Sequence, residues 1–88
     1  ITVSISQHAE IERRADELTF IQIEEAILNG QVIEKYPDTG IGESCLIVGF
    51  SEAVPIHAVC GWRGEHLVMI TVYIPGLPKF IDPWTRGV

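Results

Sequence analysis

The pattern of apolar residues changes at Gly30, and that change restricts the fold more than any other feature of the chain. Before it, apolar positions recur at helical spacing; after it, they gather into short runs divided by turn-forming residues. Gln7 to about Glu17 is charged and unbroken by Gly or Pro, with Ser6 placed to cap it. Ala9, Ile11, Ala15 and Leu18 make a narrow stripe there, which predicts a surface helix. Thr19 and Gln22 then form a T-x-x-Q capping box, with Leu18 and Ile23 as a hydrophobic staple. Phe20, Ile23, Ala26 and Ile27 supply the face of a second helix, and Gly30 is its expected C′ stop.

Beyond Gly30 the reading is β. Gln31–Tyr36, Ser44–Phe50, Ile56–Trp62 and His66–Ile74 are predicted strands, and Ile1–Ser4 is either a short strand or an extended lead-in. The connections are Pro37–Gly40, Ser51–Val54 and an Arg63-Gly64 turn. Short loops between successive strands imply antiparallel neighbours, so a meander is expected. The expected class is α+β, with two N-terminal helices packed on an antiparallel sheet of about four strands. If the Ser51–Val54 loop pairs Phe50 with Pro55, counting outward sets Cys45 opposite Cys60. The tail from Pro75 to Val88 carries three prolines before Trp84 and is expected to wrap the surface without a regular strand.

Length and composition bound the rest. Residues 1–88 read as one domain, with a core burying roughly 60–65% of the unfolded surface. No apolar run reaches the roughly 18 residues of a membrane-spanning helix, and no secretory signal is read at the start. A first residue other than Met leaves open a trimmed chain or a piece of a longer one. Six Lys and Arg stand against twelve Asp and Glu, a net charge of −6, the reverse of what a non-specific nucleic-acid binder carries. Two cysteines without metal-knuckle spacing read as free thiols of a reducing compartment, hence a cytoplasmic location.

Few residues offer chemistry. His8 opens the first helix and is either a packed imidazole or a general acid or base at a cleft mouth. His57 lies among Ile56, Ala58, Val59 and Cys60, so it is a satisfied core residue or one wall of a pocket. His66, after a turn, reads as solvated. Thr71 and Tyr73, two apart on a strand, share a face and can bind a phosphate or satisfy each other. A two-residue Arg63-Gly64 loop would pair His57 with Ile70, and a three-residue loop would pair it with Thr71; both registers stay open. No phosphate loop, nucleophile elbow or H-E-x-x-H motif occurs, and His8, His57 and the cysteines are too scattered to read as a zinc site. No cofactor is expected.

The ordered set Ser6-x-His8-Ala9, Gly30-x-Val32-Ile33-Glu34-x-Tyr36-Pro37, Pro55-Ile56-His57-x-Val59, Ile70-Thr71-x-Tyr73-x-Pro75, then Trp84 and Arg86, resembles the bacterial family called domain of unknown function 4258. That resemblance implies helices followed by an antiparallel sheet, an arrangement shared with small RNA-cleaving toxins of the RelE and barnase type. In the family pattern, basic residues stand four and eight positions after the helix histidine. Here those positions are Glu12 and Asp16. Two functions are carried forward. One is a metal-free, toxin-like ribonuclease. His8 and His57 would serve as acid and base, Thr71 and Tyr73 would position the phosphate, and Arg14 or Arg86, with Trp84, would hold the RNA. The other is a non-catalytic module that binds a protein, as a degenerate toxin or an immunity-type partner. The partners expected are therefore RNA, a cognate antitoxin or another protein, with no membrane involved and the oligomeric state open.

Overall fold

The fold, a computed structural model, is described for residues 2–37, 42–76 and 79–87. Among these residues the chain runs β1 (Thr2–Ile5), α1 (Gln7–Ala15), α2 (Phe20–Asn29), β2 (Gln31–Tyr36), β3 (Ser44–Ser51), β4 (Val54–Arg63), β5 (His66–Tyr73), β6 (Phe80–Asp82) and β7 (Thr85–Arg86). The class is α+β, as expected, but the sheet is larger and mixed. Its order is β1-β5-β4-β3-β2. The four later strands form the antiparallel meander, and β1 adds a fifth, parallel to β5, with Thr2 beside His66 and Ile5 beside Met69. The tail departs from expectation too, since β6 and β7 pair as a small hairpin. The turn expected over Pro37–Gly40 falls, from Asp38 on, outside the described residues.

Helix starts follow their local signals. Ser6 Oγ accepts from the Ala9 N–H at 3.0 Å, and both halves of the Thr19–Gln22 capping box are present. Where β1 stops, α1 takes over the edge of β5. The Ser6 N–H donates to the Met69 carbonyl, Glu12 accepts from the Val72 N–H at 3.1 Å, and Asp16 accepts from the Ile74 N–H at 2.9 Å. The two acids thus satisfy edge donors that would otherwise invite another strand. Gly30 ends α2 in extended rather than left-handed geometry, with φ −81° and ψ 170°.

Close approach sets how α2 seats. A Cβ on Gly49 would lie 1.8 Å from the Ala26 carbonyl oxygen, so the helix rests directly on the backbone of β3. On this face Ala9, Ile23 and Ala26 from the helices and Leu18 from their connection meet Ile56, Ala58, Cys60, Met69 and Val72 from the sheet. Cys45 does pair with Cys60 in the register, and both thiols are free. Phe50 pairs with Pro55 as expected, though Ser51 and Val54 pair as well, which shortens the connection to Glu52-Ala53.

Two bulges decide what the opposite face carries. In β2 the register slips between Val32 and Glu34, so Ile33 is extra and Glu34 turns away from the helices to lie opposite Leu46. In β5 the slip falls between Met69 and Thr71, which turns Thr71 and Tyr73 to that same far face. The β4–β5 hairpin closes through Gly64-Glu65, with Gly64 at φ +69°, and pairs Arg63 with His66. Neither register considered from the sequence occurs: His57 stands opposite Tyr73.

Candidate functional site

The far face of the sheet gathers most of the polar residues singled out from the sequence. His57, on β4, is fully enclosed at 0% exposure. Its Nε2 lies 2.6 Å from the Pro83 carbonyl oxygen, which can only accept, so Nε2 carries the proton. Nδ1 is then left to accept from the Tyr73 hydroxyl at 3.3 Å. Phe80 meets the imidazole edge-on, with ring centroids 4.4 Å apart. Burial pushes His57 below its ordinary pKa and Arg86 adds to that; the Pro83 carbonyl and the Glu34 carboxylate pull the other way without overcoming it. The ring is neutral and held in one tautomer. Burial likewise raises Tyr73, so its phenol keeps its proton.

Beside it lies a charged latch. Arg86, on β7, donates to both oxygens of Glu34 at 2.6 and 2.8 Å, and Tyr36 donates to Oε1 at 2.6 Å. The guanidinium, and then the Tyr36 hydroxyl, hold Glu34 at about 2. Burial, with help from the Glu34 carboxylate, pushes Tyr36 up to about 12. Arg86 also stacks over Phe80, 4.9 Å from its centroid. Trp84 packs on Phe50 at 5.6 Å. Phe80, Leu46 and Val48 are each at most 2% exposed, so the β6–β7 hairpin closes a second small core over the imidazole.

The structure therefore unites His57, Tyr73, Trp84 and Arg86, with Thr71 on the same face opposite Val59. It does not bring in His8 or Arg14. His8 is exposed on α1, 3.4 Å from Glu12, and Arg14 bonds Glu10 on that helix. No contact among the described residues joins either to His57. His66, read as solvated, is half-buried, and its Nε2 meets Ser4 Oγ at 2.7 Å. Sequence reasoning gave no role to Glu34, Tyr36, Phe80 or the Pro83 carbonyl. A signal existed for two of them, since Glu34 and Tyr36 belong to the Gly30–Pro37 motif. Among the described residues, no three His, Cys, Asp or Glu side chains converge as metal ligands, and no helix is long and apolar enough to cross a membrane.

The profile described as Domain of unknown function (DUF4258) matches residues 5–74. The chain belongs to this family. The DUF4258 match begins at the last residue of β1 and ends just past β5, so it includes His8, Glu34, His57, Thr71 and Tyr73. Phe80, Pro83, Trp84 and Arg86, which enclose the imidazole, lie beyond it. Comparison with curated proteins gives no match, and comparison with solved structures gives none.

Proposed function

We propose that this domain is a non-catalytic module that binds a protein partner. One observation carries the reading: His57 is sealed under the β6–β7 hairpin with both ring nitrogens partnered. A general base must reach the proton it takes, and a lone pair committed to Tyr73 inside a closed core reaches no substrate. The cations agree. Arg13 and Arg14 are bound to Glu10, and Arg86 to Glu34, which leaves them partly neutralised where a metal-free phosphotransfer would need positive charge aimed at the phosphate. The net charge of −6 works against RNA as a ligand.

The ribonuclease reading retains one supporting observation. The hairpin that covers His57 is a separate two-stranded sheet, so its displacement would bare a His57–Tyr73 pair without breaking the main ladder. One assay judges both readings. Purified protein, His57→Ala and the latch variant Arg86→Ala are incubated with single-stranded and structured RNA. The expected result is no cleavage above buffer by any of the three. Cleavage by the parent that disappears with His57→Ala, or cleavage by Arg86→Ala that disappears in the double variant Arg86→Ala/His57→Ala, would overturn the binding-module reading.

A further inference from the structure

An apolar groove runs between α2 and the β5–β1 edge of the sheet, on the helix side and away from the far-face cluster. One part, about 330 Å³, is lined by Phe20, Ile23, Glu24, Ile27, Leu28, Leu67 and Met69. A second, about 410 Å³, continues past Phe20 and Met69 to Ile5 and Ser4. The α2 wall does not finish inside the protein: Phe20 and Leu28, which line it, are 58% and 80% exposed, and Ile21 on the same helix is 73% exposed. One such residue is ordinary, whereas three on one short helix beside a groove mark an interaction surface.

Charge narrows the occupant. The elements that bound the groove, Thr2–Ile5, Phe20–Asn29 and His66–Tyr73, contain no Lys or Arg, and their charged residues are Glu24 and Glu25. Arg13, which stacks on Phe20, already serves Glu10. Glu24 lines the groove and has no ion-pair partner among the described residues. Glu25 turns instead to β3, where it accepts from Ser51 Oγ at 3.3 Å. A partner that satisfied the groove would place apolar anchors on the floor and a cation beside Glu24. An amphipathic helix does both, with anchors at i, i+3 or i+4 and i+7 over two turns.

Resting on the binding-module reading above, we propose that the α2–β5 groove receives a basic amphipathic helix of a protein partner. The probe is a dye-labelled synthetic peptide of about 14 residues, four helical turns, with Leu on one face and Lys on the other. Fluorescence anisotropy follows its binding to the whole chain. Two controls are a scramble that distributes the Leu around the helix and a version with Glu for Lys. The amphipathic Lys peptide is expected to bind at least about tenfold more tightly than either control. Leu28→Glu and Glu24→Lys should each weaken it by about tenfold, because one spoils the apolar wall and the other reverses the rim charge. Ile81→Glu, an exposed site on the distant hairpin, should leave it unchanged. Circular dichroism of each variant confirms its fold before titration. Equal binding of the scramble, or indifference to Leu28→Glu, would overturn the groove. RNA cleavage dependent on His57 would instead overturn the reading beneath it, and a chain that neither cleaves RNA nor binds the peptide loses the groove alone.

Discussion

At the scale of single residues, His57 dominates, because a neutral imidazole in a closed core makes stability depend on pH. Its folded pKa is depressed by burial, while the unfolded chain titrates near the ordinary value of 6.5. The unfolded state therefore takes up a proton first as pH falls, and the contribution of His57, complete above that ordinary value, is lost on descending from it toward the folded pKa. The effect between pH 7.5 and 5.5 is at most about 1.4 kcal/mol for one proton. Glu10 and Glu34, each held at about 2 by arginine, lose their contributions only from the ordinary carboxylate range downward, so this window belongs to histidine. Urea unfolding at the two pH values should show a larger loss in the parent than in His57→Gln, which keeps a donor for Pro83 but does not titrate. Equal losses would mean that the folded protein takes the proton on Nδ1 as readily as the unfolded chain, and that burial does not hold the imidazole neutral. The sequence exposed His57 as costly to bury, since its neighbours are all apolar. It did not disclose the partner, because a single extra residue at Ile70 moves Tyr73 opposite the imidazole.

At the scale of elements, what could be read depended on whether a cue is local. The helix caps at Ser6 and Thr19 are formed by groups three residues apart, and both were legible. The Cys45–Cys60 pairing was legible for a similar reason, because β3 and β4 run without a bulge from their hairpin. The bulges at Ile33 and Ile70 answer to packing across the sheet, and no motif announced them. A short strand at Ile1–Ser4 was one of two readings, but no motif announced that β1 pairs in parallel with β5, more than sixty residues away. Facing residues on antiparallel strands have Cα atoms within disulfide reach, and burial raises both thiols, Cys60 to about 11. Treatment with a low-molecular-weight disulfide should therefore be slow and end in a monomer lighter by about two hydrogens. Stable mixed adducts on both cysteines would contradict the facing geometry. Two glycines make a sharper contrast. Gly49→Ala drives a methyl into the Ala26 carbonyl and should cost about 3 kcal/mol, through displacement of α2. Gly64→Ala meets nothing within 4 Å but sits at φ +69°, and should cost only about 1 kcal/mol. Urea midpoints rank the two, and the reverse order would mean that α2 yields more readily than its contact with β3 implies.

For the whole molecule, the sheet separates two unequal cores. The helix side holds most of the buried side chains, and the far side holds Leu46, Val48, His57 and Phe80 under β6 and β7. That hairpin shares no backbone ladder with the main sheet. Its anchors are the packing of Phe80, the Arg86–Glu34 pair, the Phe50–Trp84 contact and the Pro83–His57 hydrogen bond. An element held by side-chain packing, one ion pair and one side chain-to-backbone hydrogen bond opens at lower free energy than strands inside a five-stranded ladder, and it opens as a unit. Hydrogen exchange makes the distinction. The Phe80 N–H, bonded to Gly76, and the Gly87 N–H, bonded to Lys79, report the hairpin, while the amide of Ala58 at the centre of β4 reports global unfolding. The two hairpin amides should exchange together and faster than Ala58. Arg86→Ala should accelerate them further while changing Ala58 much less, because removing the latch frees the hairpin before it weakens the sheet. If Arg86→Ala accelerates all three by the same factor, the hairpin unfolds only with the rest of the chain. The far face is then a permanent core, and His57 is sealed there on every timescale short of unfolding.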